Sequence, residues 1–176
     1  MTVESIKLNV STPIEPIAPG RGFYRVEEES LFVQIGPFCN RRRFFSYLEA
    51  PGILLDFDRH GRLIFLEVDI PRRRWREMKD PRPPSVVEAA DVRWLNFRNS
   101  LPQPALETNP DRTLLKLVFG SVDRPLNYYI AKSVISQTSP DHRLAALWIT
   151  DIADDLAGRQ ISSFRKELLV KRSYFA

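Results

Sequence analysis

Two stretches, ILLDFDRHGRLIFLEV (53–68) and VISQTSPDHRLAALWI (134–149), follow one plan at a spacing of 81 residues (134 minus 53). Each is an apolar run, a polar break and a second apolar run, the pattern of a β-hairpin. Leu63, Leu66 and Val68 match Leu144, Leu147 and Ile149, and Arg62 matches Arg143. Upstream, Leu31, Val33, Ile35 and Gly36 match Leu115, Leu117, Phe119 and Gly120 at a spacing of 84 (115 minus 31). The loop between the matching parts is therefore three residues longer in the first copy, where PFCNRRR sits. Such a repeat restricts the fold more than any single element does. It leads us to expect two tandem, similar, strand-rich units.

The two tips have different turn chemistry. Asp58 suits a turn in which its carboxylate accepts backbone amides two residues on, and Gly61 suits a left-handed position. Ser139-Pro140-Asp141 instead places proline where a type I turn needs its fixed φ. Two unlike solutions to one bend suggest that the bend matters more than its side chains.

The remaining sequence is also mainly β. Ile6, Leu8 and Val10 alternate with polar residues, and FYRV (23–26), LFVQI (31–35) and RFFSYLEA (43–50) are short β-prone runs. VRWLNF (92–97), TLLKLVF (113–119), NYYIAKSVISQ (127–137) and LAALWIT (144–150) continue the pattern. Prolines divide it: residues 1–20 read as a strand with a Pro-rich linker, 21–79 as unit 1, 80–90 as a second linker and 91–152 as unit 2. Ser85 and Glu88 have capping-box spacing, predicting a helical turn through Ala90. Residues 153–176 read as a C-terminal helix and tail, with Ile161, Phe164, Leu168 and Leu169 at helical spacing and Gly158 before or within the helix. The fold class expected is mainly β, two similar units sharing a core, with the helix over an edge or a face.

The unit ESLFVQIG followed by ILLDFDRHGRLIFLEV resembles the YuzE-like family of small bacterial proteins of unknown function. Asp56, Asp58 and Gly61 fall on that family's Asp-x-Asp-x-x-Gly element, whereas the second copy has Gln137, Ser139 and His142 there. The resemblance covers residues 29–70 well and 112–152 poorly. It implies no chemistry; some members are thought to sit beside toxins, which hints at protein binding.

Residue content narrows the function classes. Hydrophobic content of 43% and charged content of 27% suit a soluble globular chain, and no apolar run is long enough to cross a membrane as a helix. The first residues lack the pattern of a secretory signal. With a single cysteine, Cys39, no internal disulfide forms, and a cytoplasmic location is expected. Cys39 lies beside three arginines, which lower a thiol's pKa, but no histidine or acid has the spacing of a cysteine enzyme. His60 and His142 both fall at hairpin tips and read as turn residues, since zinc needs about four ligands. Asp56 with Asp58 and Glu67 with Asp69 form two acidic pairs. If Asp58 faces Arg62, then Ile53 faces Glu67 and the pairs lie on opposite faces, so no metal site is expected.

The arginine clusters carry the remaining hint. Arg41, Arg42 and Arg43 precede Phe44 and Phe45, while Arg72, Arg73, Arg74 and Arg76 surround Trp75. Guanidinium groups interleaved with aromatic rings hold single-stranded nucleic acid by neutralising phosphates and stacking bases. Against this, acids at 27–29, 49, 77 and 80 stand ready to pair with the arginines, and the aromatic residues suit a core. The sequence thus points to a non-enzymatic protein-interaction module without a cofactor, binding a protein partner or itself. Polyanion binding through the seven arginines is the alternative.

Overall fold

The computed structural model describes residues 5–36, 44–95 and 100–174. It is mainly β, with fifteen strands in three sheets and one α-helix among the described residues. The first half contributes β1 (Leu8–Ser11), β2 (Gly20–Arg25), β3 (Ser30–Ile35), β4 (Ser46–Ala50), β5 (Ile53–Phe57), β6 (Leu63–Val68) and β7 (Arg76–Glu77). The second contributes β8 (Glu88–Ala89), β9 (Asp91–Trp94), β10 (Ala105–Thr108), β11 (Leu115–Val118), β12 (Leu126–Ala131), β13 (Val134–Thr138), β14 (Leu144–Ile149) and β15 (Ala153–Asp155), then helix α1 (Arg159–Tyr174).

A six-stranded sheet runs β15-β2-β3-β6-β5-β4, and a seven-stranded sheet runs β7-β10-β11-β14-β13-β12-β8. Five strands of each follow the same order with the same antiparallel senses. Their registers agree as well: Leu31 faces Val68 as Leu115 faces Ile149, and Ile53 faces Val68 as Val134 faces Ile149. Both hairpins shift register at one place, between Asp56 and Phe57 and between Gln137 and Thr138. The extra residues, Ile64 and Ala145, are β-bulges, in which two residues oppose one.

Period-2 alternation sends one face of each sheet inward. Leu31, Val33, Leu55, Phe57, Leu66 and Val68 meet Leu115, Leu117, Val134, Leu147 and Ile149 in one shared core. β2 approaches β12 so closely that a Cβ on Gly20 would lie 2.5 Å from that of Ala131. β1 and β9 form a third, two-stranded antiparallel sheet with Leu8 opposite Trp94.

Both tips close alike despite their different residues. Asp58 N–H donates to Arg62 O (3.0 Å) and Gly61 N–H to Asp58 O (3.1 Å). Ser139 N–H donates to Arg143 O and His142 N–H to Ser139 O (both 2.9 Å). Gly61 and His142 occupy the left-handed region, with φ of 82° and 60°.

Several expectations need correction. Residues 85–90 form no helical turn; Glu88–Ala89 is a strand parallel to β12, because the edge of β12 offers backbone partners that an isolated turn lacks. Two edge strands cross between the proline-flanked stretches: β7 joins β10 in parallel, and β15, within the stretch assigned to the helix, joins β2 in parallel. Residues 127–137 hold two strands, joined at Lys132-Ser133. Ile53 faces Val68 rather than Glu67, since the bulge at Ile64 moves β6 by one residue. Phe44 and Phe45 are not core anchors; they are 37% and 71% exposed, whereas Trp75 is buried. Gly158 precedes α1 with φ of 71°.

Candidate functional site

The bulge that closes the first hairpin also fixes its outward face. With Leu55, Phe57, Leu66 and Val68 turned into the core, Leu54 and Asp56 on β5 and Phe65 and Glu67 on β6 share the outer side. Asp56 faces Phe65 across the ladder, and Glu67 faces Leu54. The acidic residues expected on opposite faces therefore stand together. The clue in the sequence is Leu63 and Leu66, both buried three residues apart, a break in the alternation of a straight strand.

Helix α1 covers part of this face. Asp155 Oδ1 accepts the Gln160 N–H at 2.7 Å and so starts the helix, and Ile161, Phe164 and Leu168 turn towards the sheet. Phe164 packs on Phe23 with ring centroids 5.4 Å apart, and Arg165 Nε donates to the buried Gln34 Oε1 at 2.9 Å. Beside the helix remains an open groove of about 490 Å³. Leu54, Phe32 and Phe65 form its floor, the two rings 5.8 Å apart, and Asp56 and Glu67 stand half-buried in its wall.

Burial pushes the Asp56 carboxyl above the usual carboxylate range. The Glu67 carboxyl is also raised, first by burial and then by Asp69, Asp56 and Glu28, with Arg25 opposing. Among the described residues neither side chain has a hydrogen bond or ion pair. The cations nearby are engaged elsewhere: Arg25 pairs with Glu28 at 3.0 Å and stacks over Phe32, and Arg165 bonds Gln34.

The seven-stranded sheet offers an internal comparison. Gln137 and Trp148 hold the positions of Asp56 and Glu67 in the matching register. There Ile135, Ala146 and Trp148 are buried beneath Met78 and Val87, and Gln137 Nε2 donates to Asn127 Oδ1 at 3.1 Å. One outer face is closed and apolar; the other keeps an open groove with two carboxylates.

Apart from Asp56 and Glu67, the described charged residues and histidines singled out from the sequence lie outside this groove. Arg72 pairs with Asp154 and lies 4.4 Å over the Tyr24 ring, while Arg73 pairs with Glu29. Arg74 and Arg76 are exposed, and their side chains make no hydrogen bond or ion pair among the described residues. Arg41, Arg42, Arg43 and Cys39 lie outside the described residues. Asp58 caps its own turn, accepting from His60 N–H at 2.8 Å and Arg62 N–H at 3.0 Å. His60 is exposed, and half-buried His142 meets the Tyr128 ring edge-on at 6.0 Å.

Near the first tip, buried Asp91 accepts from Arg62 Nε at 3.1 Å and Arg93 Nε at 3.0 Å. Burial opposes the Asp91 charge, but these two guanidiniums outweigh it and hold the carboxyl below its usual range. Smaller clefts of about 160 and 280 Å³ flank the two tips. Among the described residues no three histidine, cysteine or acidic side chains are placed to hold a metal ion.

No family model, curated protein or solved structure matches this chain. No helix among the described residues is long and apolar enough to cross a membrane.

Proposed function

We propose that this chain is a non-enzymatic, cytoplasmic protein-interaction module whose docking surface is the groove on the six-stranded sheet. The observation that carries the proposal is the pair of half-buried carboxylates, Asp56 and Glu67, which have no hydrogen bond or ion pair among the described residues and stand above an aromatic floor. Partial burial disfavours the charged form of such groups, and a cation placed beside them favours it. The occupant that complements them is a lysine or arginine side chain of a partner protein, its charge on the carboxylates and its stem or guanidinium on Phe32 and Phe65. The YuzE-like resemblance of residues 29–70, with its hint of protein binding, agrees with this reading.

The test is a two-dimensional NMR titration with arginine amide as probe. Shifts should cluster in β5, β6 and the first turns of α1 and disappear in the Asp56→Asn/Glu67→Gln variant. Shifts that survive neutralisation, or that cluster elsewhere, refute the groove.

The alternative, a polyanion surface, draws on exposed Arg74 and Arg76, because Arg72 and Arg73 are already paired with acids. Steeply salt-dependent retention on heparin, lost when Arg74 and Arg76 are neutralised, would favour that reading instead.

A further inference from the structure

The two halves exchange their ends. β7 follows β6 in the chain but joins β10 in the other sheet, and β15 follows β14 but joins β2. The parallel registers correspond: Arg76 faces Glu107 and Glu77 faces Thr108, as Ala153 faces Phe23 and Asp154 faces Tyr24. Here Glu107 and Thr108 lie 84 residues beyond Phe23 and Tyr24 (107 minus 23), the spacing that also relates β3 to β11. Past the exchanged strand, each half then covers the other's outer face. Met78 and Val87 lie on the seven-stranded sheet, and Phe164 lies on the six-stranded one.

The leading strands cross over in the same way. Leu8 N–H donates to His142 O at 2.9 Å, and Trp94 N–H donates to Gly61 O at 2.7 Å. Each leading strand therefore ties down the hairpin tip of the opposite half, and Leu8 faces Trp94 where β1 and β9 meet. In a symmetric dimer, residue i of one copy meets j of the other while j meets i. That reciprocity runs through this single chain at its strand edges, tips and outer faces.

We propose that the chain is a fused, strand-exchanged dimer produced by duplication, and that each half is a self-complementary module whose partner is a second copy of the same unit. Each half needs the other to occupy the edge of its first strand, to anchor its tip and to close its core. The side chains at the crossing differ between the two kinds of like pair. Phe57 packs on Trp94 with ring centroids 5.0 Å apart, and the equivalent positions hold Thr138 and Leu8. Two first units would set Phe57 against Leu8, and two second units Thr138 against Trp94. Where β1 and β9 meet, two first units would set Leu8 opposite Leu8, and two second units Trp94 opposite Trp94, so the first-unit pair is the one that brings no two large rings together.

The inference rests on the exchanged connections and is independent of the groove. It is tested on the full chain carrying a protease site in the exposed 82–85 segment, cut after folding. The cut protein should run as one species with both halves bound. Differently mass-labelled cut samples, unfolded together and refolded, should give the mixed pair and also like pairs of each half by native mass spectrometry. The mixed pair in the same reaction shows that both halves refold. Mixing the samples at high dilution without denaturant supplies the same readout independently of refolding. Recovery of the mixed pair alone, or separation of the cut chain into two folded monomers, would overturn the proposal.

Discussion

Gly20 and Ala131 offer a direct measurement of how closely the two sheets pack. A methyl group placed on Gly20 would sit 2.5 Å from the Ala131 Cβ, against a comfortable carbon–carbon separation of about 3.5–4.0 Å. Both residues are fully buried or nearly so, and each lies on a strand whose backbone is held by its neighbours. Gly20→Ala must therefore push β2 and β12 apart by about 1 Å, and overpacking of this kind costs about 2 kcal/mol. Ala131→Gly alone removes a buried methyl, about 0.8 kcal/mol, and adds backbone freedom to the unfolded chain, about 0.5–1 kcal/mol. In the double variant the methyl has changed sides and the clash is gone. Its cost should be about 1 kcal/mol, not the roughly 3.5 kcal/mol that independent sites would give. Urea unfolding of the four proteins measures the coupling, and Gly20→Ala should lower Tm by about 4–8 °C. Additive costs would refute the close approach and, with it, the account of a core shared through β2 and β12.

The two hairpin tips predict opposite responses to glycine. Gly61→Ala puts a side chain at φ 82° and should cost about 1–2 kcal/mol, whereas His142→Gly relieves φ 60° and should leave stability within about 0.5 kcal/mol, both read by chemical denaturation. The groove carboxyls predict a pH signature. Their folded pKa values are raised above the unfolded ones, so the native protein gains stability as pH falls towards the unfolded values and loses that gain as pH rises through the folded values. Asp56→Asn/Glu67→Gln should therefore raise Tm at pH 7, with the advantage shrinking towards pH 4; an advantage that grew in acid would contradict the burial of these groups.

The two hairpins and their tips were legible from residues 53–68 and 134–149, because apolar runs and turn chemistry are local. The C-terminal helix was legible from Ile161, Phe164 and Leu168 for the same reason. The candidate site was not. Asp56 and Glu67 meet only because Ile64 bulges from β6, and a bulge is set by the strand it pairs with.

By itself, then, the sequence determined a mainly β chain that builds a similar arrangement of strands twice around sharp polar bends. Only the tertiary structure decided that the halves trade β7 and β15, and which outer face stays open. Strands of two or three residues carry too few side chains to show a period, and their place is fixed by backbone edges far away in sequence. Whether an outer face becomes core or groove depends on which segment lies over it: Met78 and Val87 seal one, while α1 leaves the carboxylates of the other in reach of solvent.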